Sequence, residues 1–329
     1  MAPLVLQLLD RFNKPRTAQT VVRTLDGYDL PSVRRAIARL THLGYLVPAA
    51  DQESRRDVAA AWKGSFAAAH FHFATRNLVY LQEPGEAAQY LTRRFSDGPQ
   101  PSSYKEFLRR PRVALTADGS RATTTLDEAL LHRRTVREFS RRPVPLSDLS
   151  KVVRGTWGQT GWLDGGVLGR LLMKTSPSAG ARHPIECYIL AWRVKGLPAG
   201  IYHFNVRNNC LERLRRGDHR HLAVQMAGGQ TWIRGAAFLC VMTAVADRTF
   251  WKYASADAYR LFLLDAGHLA QTFVLLATAA GLGGFTTAAL SEKRIERALD
   301  LDGIREFPIY LCGAGTKRSK ASGPPSSSR

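Results

Sequence analysis

The chain has 329 residues, with 47 lysines and arginines against 27 acids and a formal charge of +20. Apolar residues at 45% and charged residues at 22% are ordinary for a folded protein, so wholesale disorder is excluded, and one large domain plus a small one is expected. The charge draws nucleic acid, acidic peptides, phosphorylated cofactors or anionic membranes without choosing among them. Cys187, Cys210, Cys240 and Cys312 lie far apart with no C-x-x-C pair, and Asp10 and Arg11 interrupt the short apolar start, as expected of a cytoplasmic protein with reduced thiols and no signal peptide.

Residues 1 to about 50 read as short helices followed by a hairpin. In "LPSVRRAIARLTHLGYLVPA", Val33, Ile37, Leu40 and Leu43 recur at helical spacing, Gly44 ends the helix and "YLV" begins a strand. This is the outline of a winged helix, in which Arg34, Arg35 and Arg39 either bind DNA or a peptide or form a solvated basic face. Residues 51–120, with "SDGPQPSSYKEFLRRPRVALTADGS", mix polar and small residues with Pro, Gly and Ser and read as a connector.

Residues 121–318 read as one domain. Thr125 and Glu128 form a capping box on a helix expected to finish near Arg133. "CYILAWRV", "GIYHFNV" and "AAFLCVMTAV" are strands, residues 256–281 a long buried helix too interrupted to span a membrane, and "FPIYLCGAG" a last strand. Strands interleaved with helices imply α+β or mixed α/β. Residues 319–329 are polar, of low complexity and expected to be disordered.

The "GAG" at Gly313–Gly315 follows a strand, but G-x-G-x-x-G fails at Arg318. No Walker sequence, H-E-x-x-H or serine elbow is present, and the histidines lack metal-ligand spacing. "RRTVREF" sets Arg133, Arg134 and Arg137 around Thr135. One or two of these arginines answer the negative end of the preceding helix, and the group is otherwise a solvated cluster or an anion site. "PSAGARHP", residues 177–184, is a tight loop before a strand or a place where backbone donors approach a flat ligand. Asp265 and His268 on the long helix are read as structural, and His183 has no assigned role.

"RRTVREF", "PSAGARHPIECYIL", "GLPAGIYHFNV", "WKYASADAYRLFLLDAGHLAQTFVLLATAAGLGG" and "FPIYLCGAG" follow one another as in the nitroreductase superfamily. The chain most resembles the SagB-type azoline dehydrogenases of that superfamily, from about Thr125 to Gly315. The resemblance implies an α+β fold, a mixed sheet flanked by helices behind a small winged-helix-like domain, with FMN held at the interface of a homodimer. Carried over, Arg133 and Thr135 would meet the phosphate end of FMN, and Arg137 the pyrimidine edge of its ring. Ser178, Ala179, Gly180 and Arg182 would line the cofactor, and Gly283 and Gly284 would lie near the ring's reactive nitrogen. Lys317 or Arg318 would close on the phosphate, although this end departs from the family's glycine, arginine and proline.

Lys252 and Tyr253 stand where SagB-type dehydrogenases carry a Lys-Tyr pair. Converting an azoline to an azole removes a proton from Cα and a hydride from Cβ. Lys252, among Phe250, Trp251 and Tyr253, would lose hydration and act as the base, with Tyr253 orienting substrate or relaying the proton. The implied activity is oxidation of thiazoline or oxazoline rings in a ribosomally made peptide. The implied partners are an azoline-containing precursor and a cyclodehydratase complex, with no membrane and no nucleic acid. One alternative is a flavin-dependent reductase of dehydroamino acids, nitroaromatics or quinones. The other, in a different class, is a winged-helix nucleic-acid-binding protein, for which charge alone supplies only non-specific affinity.

Overall fold

A computed structural model describes residues 3–12, 16–25, 27–42, 45–46, 48, 62–63, 65–76, 81, 83–116 and 124–318. The chain divides into two units, 1–81 and 82–329. In the first, α1 (Pro3–Arg11), α2 (Ala18–Val22), α3 (Leu30–His42) and α4 (Phe66–Ala74) are helices. Thr17 caps α2 by accepting the Thr20 amide at 3.2 Å, and Asp29 accepts the Ser32 amide at 2.7 Å at the head of α3. Leu8, Val21, Leu25, Val33 and Leu40 close a small core of their own. Tyr45 and Leu46 form a bend whose amides both donate to Leu40 O, rather than the start of a strand. The rest of the expected wing falls largely outside the described residues, as does the expected disordered tail at 319–329.

The second unit opens with α5 (Pro84–Asp97) and β1 (Arg112–Ala114), so the later part of the expected connector is packed structure. The Pro, Gly and Ser residues there punctuate a segment bonded to distant chain at both ends: Tyr90 Oη donates to Lys252 O at 3.0 Å, and β1 pairs with Cys210–Glu212. Next come α6 (Leu126–His132), β2 (Val144–Pro145), α7 (Leu146–Trp157) and the hairpin of β3 (Gln159–Asp164) and β4 (Arg170–Lys174). Then follow β5 (Ile185–Ala191), β6 (Val194–Lys195), β7 (Gly200–Asn205), β8 (Cys210–Arg216) and α8 (Arg220–Met226). The chain continues through β9 (Phe238–Val245), α9 (Ala246–Phe250), α10 (Tyr259–Ala279), β10 (Leu282–Thr287), α11 (Glu292–Leu299) and β11 (Glu306–Thr316).

The capping box forms as expected: the Thr125 hydroxyl accepts the Glu128 amide and the Glu128 carboxylate accepts the Thr125 amide. Strand pairing is mixed. Seven strands in the order β1-β8-β7-β5-β9-β11-β10 pair antiparallel throughout, while β2 and β6 pair in parallel in a separate two-stranded sheet. β5, β7 and β9 are buried on both faces because side chains alternate across the sheet. Cys187, Ile189, Cys240 and Met242 join one core with α7 and α10, and Tyr188, Leu190, Leu239 and Val241 another with α8 and α11.

α10, with the turn before it, is the one described helix long and apolar enough to cross a membrane. Its composition is explained by packing: Phe262, Ala266, Leu269, Ala270, Phe273, Val274 and Ala277 are buried in the core. It is not buried all round, since Leu263 and Leu264 stand 50% and 56% exposed.

Candidate active site

The sequence-predicted site residues gather at opposite ends of β11. At its C-terminal end, residues 133–140 run beside β10 and β11. Val136 N donates to Gly284 O at 3.1 Å, Ser140 N donates to Thr316 O at 2.9 Å, and Phe139 bridges Lys317. Arg133, Thr135, Arg137, Lys317 and Arg318 are thereby brought to one edge, where Arg133 is half-buried and the rest exposed. No carboxylate among the described residues pairs with any of these cations. Arg137 lies 5.6 Å from the Trp232 ring centre. Arg134, by contrast, folds back onto the end of α6 and donates to Leu131 O and Arg133 O, both at 2.8 Å, as a helix C-terminus invites.

Gly283 and Gly284 are buried here for packing reasons. A Cβ on Gly283 would lie 2.8 Å from Val136 Cγ1, and one on Gly284 3.3 Å from Ala277 Cβ. The 133–140 segment fills one glycine's face and α10 the other's.

The second group forms where β9 ends and β5 begins. Residues 178–183 turn through three left-handed conformations, Gly180 (φ 59°), Ala181 (φ 54°) and His183 (φ 45°). Two of these carry side chains, at a cost of about 1–3 kcal/mol each, so the surroundings must impose the shape. They do so from several sides. Ser178 Oγ accepts the His183 amide at 2.9 Å and donates to Asp265 Oδ2 of α10 at 2.5 Å. Arg248 Nη1 donates to His183 O at 3.1 Å. His183 Nε2 bonds Leu172 O at 2.9 Å, so Nε2 carries the proton, and burial with Lys174 nearby holds the ring neutral with a pKa of about 3.

Gly180 faces the Lys-Tyr pair. A Cβ there would lie 2.7 Å from Lys252 Nζ and 2.6 Å from Tyr253 Oη. Both residues are half-buried. Burial, then the charge of Arg182, pulls the Lys252 pKa down, while burial raises that of Tyr253. The segment carrying them is clamped by α5. Besides Tyr90 on Lys252 O, Arg94 Nε donates to Trp251 O at 2.6 Å and Trp251 Nε1 to Gly98 O at 3.1 Å. Burial also lifts Asp265, although the Ser178 hydroxyl and Ala179 amide hold it down in part. Asp265 thus ties α10 to the loop, while His268 is exposed. A small pocket behind the loop is lined by Lys174, Ser176, Ser178, His183, Asp265 and Leu269. Burial brings Lys174 there to a pKa of about 8.

One expectation changes. Arg182 does not line an open surface: it is fully buried, with Nε on Arg248 O at 2.9 Å and its guanidinium 5.5 Å from the Trp251 ring centre. Sequence reading also passes over a buried polar ladder beside the loop. His203 lies between Glu186 at 3.0 Å and Glu212 at 3.1 Å, and Arg248 reaches Glu186 at 2.6 Å. Burial works against the charged form of each, yet the carboxylate bonds raise His203 and the partners hold Glu186 far below the usual glutamate range. Among the described residues no cluster could hold a metal ion.

One α+β domain thus carries an exposed basic edge and a half-buried lysine-tyrosine pair. The model of the nitroreductase family matches residues 130–316, and the chain belongs to that family, which makes it an oxidoreductase. It is 27% identical over 310 residues to the trifolitoxin operon protein TfxC of Rhizobium leguminosarum bv. trifolii, covering 91% of this chain and 85% of that protein. It is 27% identical over 140 residues to the microcin B17-processing protein McbC of Escherichia coli, covering 41% of this chain and 51% of that protein. A solved structure from Ralstonia eutropha JMP134, 26% identical, superposes with a TM-score of 0.53 over 66% of this chain and 99% of that one.

Proposed function

We propose that the chain is an FMN-dependent dehydrogenase that oxidises azoline rings to azoles in a ribosomally made peptide, as a homodimer working beside a cyclodehydratase. The observation that carries this reading is the convergence of Lys252 Nζ and Tyr253 Oη on the left-handed backbone at Gly180. The similarity to a protein named for processing a peptide microcin supports the substrate class.

The residues present fit FMN. Arg133, Lys317 and Arg318, which have no carboxylate partner among the described residues, suit a phosphate dianion with the Thr135 hydroxyl, and Arg137 suits the pyrimidine edge. At Gly180 a side chain would collide with Lys252 Nζ and Tyr253 Oη, so the bare backbone lets the pair close on this loop. At about 3.3 Å per residue the two ends of β11 are roughly 33 Å apart, too far for one cofactor to touch both within a chain. A second copy would bring its Gly180 end to the first copy's cationic edge. Exposed Leu126, Leu130 and Leu131 on α6 and Leu263 and Leu264 on α10 offer apolar surface for that contact.

Bound FMN supplies the hydride acceptor for Cβ. The rest of the chemistry falls to the chain. Lys252, its ammonium disfavoured by burial, takes the Cα proton on Nζ as the C–H bond breaks. Tyr253, kept protonated by burial, donates a hydrogen bond to orient the ring. α5 fixes the segment that carries them by holding the backbone carbonyls of Trp251 and Lys252.

The test starts with the purified protein, which should be yellow and release FMN on denaturation. A thiazoline-bearing peptide should be oxidised by the wild type and not by Lys252→Ala, while that variant keeps its FMN and its reduction of a nitroaromatic. Protein that takes up no FMN ends the flavin reading. Equal loss of both activities with FMN bound ends the assignment of Lys252 as base.

A further inference from the structure

Among the described residues, Arg182 is a charge without a counter-charge. Its side chain is 0% exposed, and its hydrogen bonds go only to carbonyls, Arg248 O at 2.9 Å and Pro101 O at 3.3 Å. Its Nη1 has no hydrogen-bond partner among the described residues. A buried guanidinium left in this state is costly. Arginine cannot shed the cost by losing its proton, whereas a neighbouring lysine can.

That neighbour is Lys252, which follows the Trp251 ring under which Arg182 lies and faces Gly180, two residues before Arg182 in the loop. The other charges around Lys252 are engaged. From α5, Arg94 is paired with Asp97 at 2.9 Å; from α9, Arg248 is paired with Glu186. From α10, Asp265 is held by Ser178 and the Ala179 amide and acts on Tyr253. Lys174 of β4 lies among Glu186, Arg248 and Asp265. Arg94 and Arg248 have carboxylate partners, whereas among the described residues Arg182 has none.

We propose that Arg182 is a positioning residue for Lys252: its buried, unpaired charge beside the loop that faces Lys252 adds to burial in favouring the amine over the ammonium there. The role rests on Lys252 being the base of the reaction above, but the protonation state is measurable without that reaction. Arginine at 182 therefore serves through a permanent charge, and an uncharged side chain of similar length loses the effect while filling the same space.

The experiment is competitive acetylation of the holoprotein by acetic anhydride across neutral to alkaline pH, with the Lys252 peptide quantified by mass spectrometry and the exposed Lys293 as internal reference. Wild-type Lys252 should label with a midpoint below that of Lys293. In Arg182→Gln and Arg182→Met that midpoint should rise by about one pH unit, with FMN content unchanged. The acid limb of azoline oxidation should move the same way, costing up to tenfold in rate at pH values below the new midpoint. An unmoved midpoint in either folded variant overturns the proposal. So does failure of both variants to fold, which would make Arg182 a structural cation. A moved midpoint in a protein that oxidises no azoline leaves Arg182's role standing and overturns only the assigned reaction.

Discussion

The two ends of β11 use positive charge in opposite ways. At the C-terminal end, Arg137, Lys317 and Arg318 are open to solvent and lack carboxylate partners, and close glycine packing lays their backbone along the sheet. At the other end Arg182 is sealed in, Lys252 is half-buried, and the loop between them is held in an unfavourable backbone shape. An exposed cation is available to an anion, whereas a buried one biases the protonation of a titratable neighbour. One end of the strand is thus suited to holding a ligand and the other to moving a proton.

The largest expected effect lies at the buried end. Lys252→Ala should lower kcat for azoline oxidation by about 10²–10⁴-fold with FMN retained. Arg133→Ala should instead weaken FMN retention and leave kcat at saturating FMN nearly intact. Equal losses of kcat in the two variants would erase the contrast between the ends. For the wild type, rate should rise with pH through the lowered Lys252 pKa, because only the neutral amine accepts a proton, and should level off below the range of an ordinary lysine.

Glu186→Gln comes next, because it leaves Arg248 and His203 buried with one fewer anion. It should cost about 3–5 kcal/mol in urea unfolding. Since the folded state depresses the Glu186 pKa, this stabilisation is fully present above the unfolded glutamate pKa of about 4.3 and fades as pH falls toward the folded value. The gap between wild type and variant should therefore narrow in acid. Gly283→Ala should cost about 1–3 kcal/mol through the clash with Val136 and loosen FMN binding at the exposed end only. Thr125→Ala, which removes one half of the capping box at the head of α6, should cost about 1 kcal/mol and leave both ends working.

What could be read from the sequence was local or carried by ordered motifs. Thr125 and Glu128 are three residues apart, and their box forms. The strands "CYILAWRV" and "AAFLCVMTAV" announce themselves by apolar runs, and β5 and β9 lie where expected. What was hidden depends on partners far apart in the chain. Glu186, His203 and Glu212 meet only because the registers of β5, β7 and β8 bring them side by side. Tyr90 and Arg94 sit in a stretch whose composition says linker, and their targets are 162 and 157 residues away. Arg182 looked like a cofactor contact because its loop does, but a pattern of residue types does not say which way a long side chain turns.

β1 is only three residues long, yet it decides where this domain begins. Its pairing with β8 occupies the outer amides and carbonyls of Cys210–Glu212, and the Arg213 amide continues the cover by donating to Pro111 O. A version of the chain started at Thr125 would strip that cover and leave β8 as a bare edge ready to take a strand from another molecule. Such a truncation should come out as aggregate, while one started near residue 82 should stay dispersed. A sheet's outermost and shortest strand is here its guard against its own neighbours.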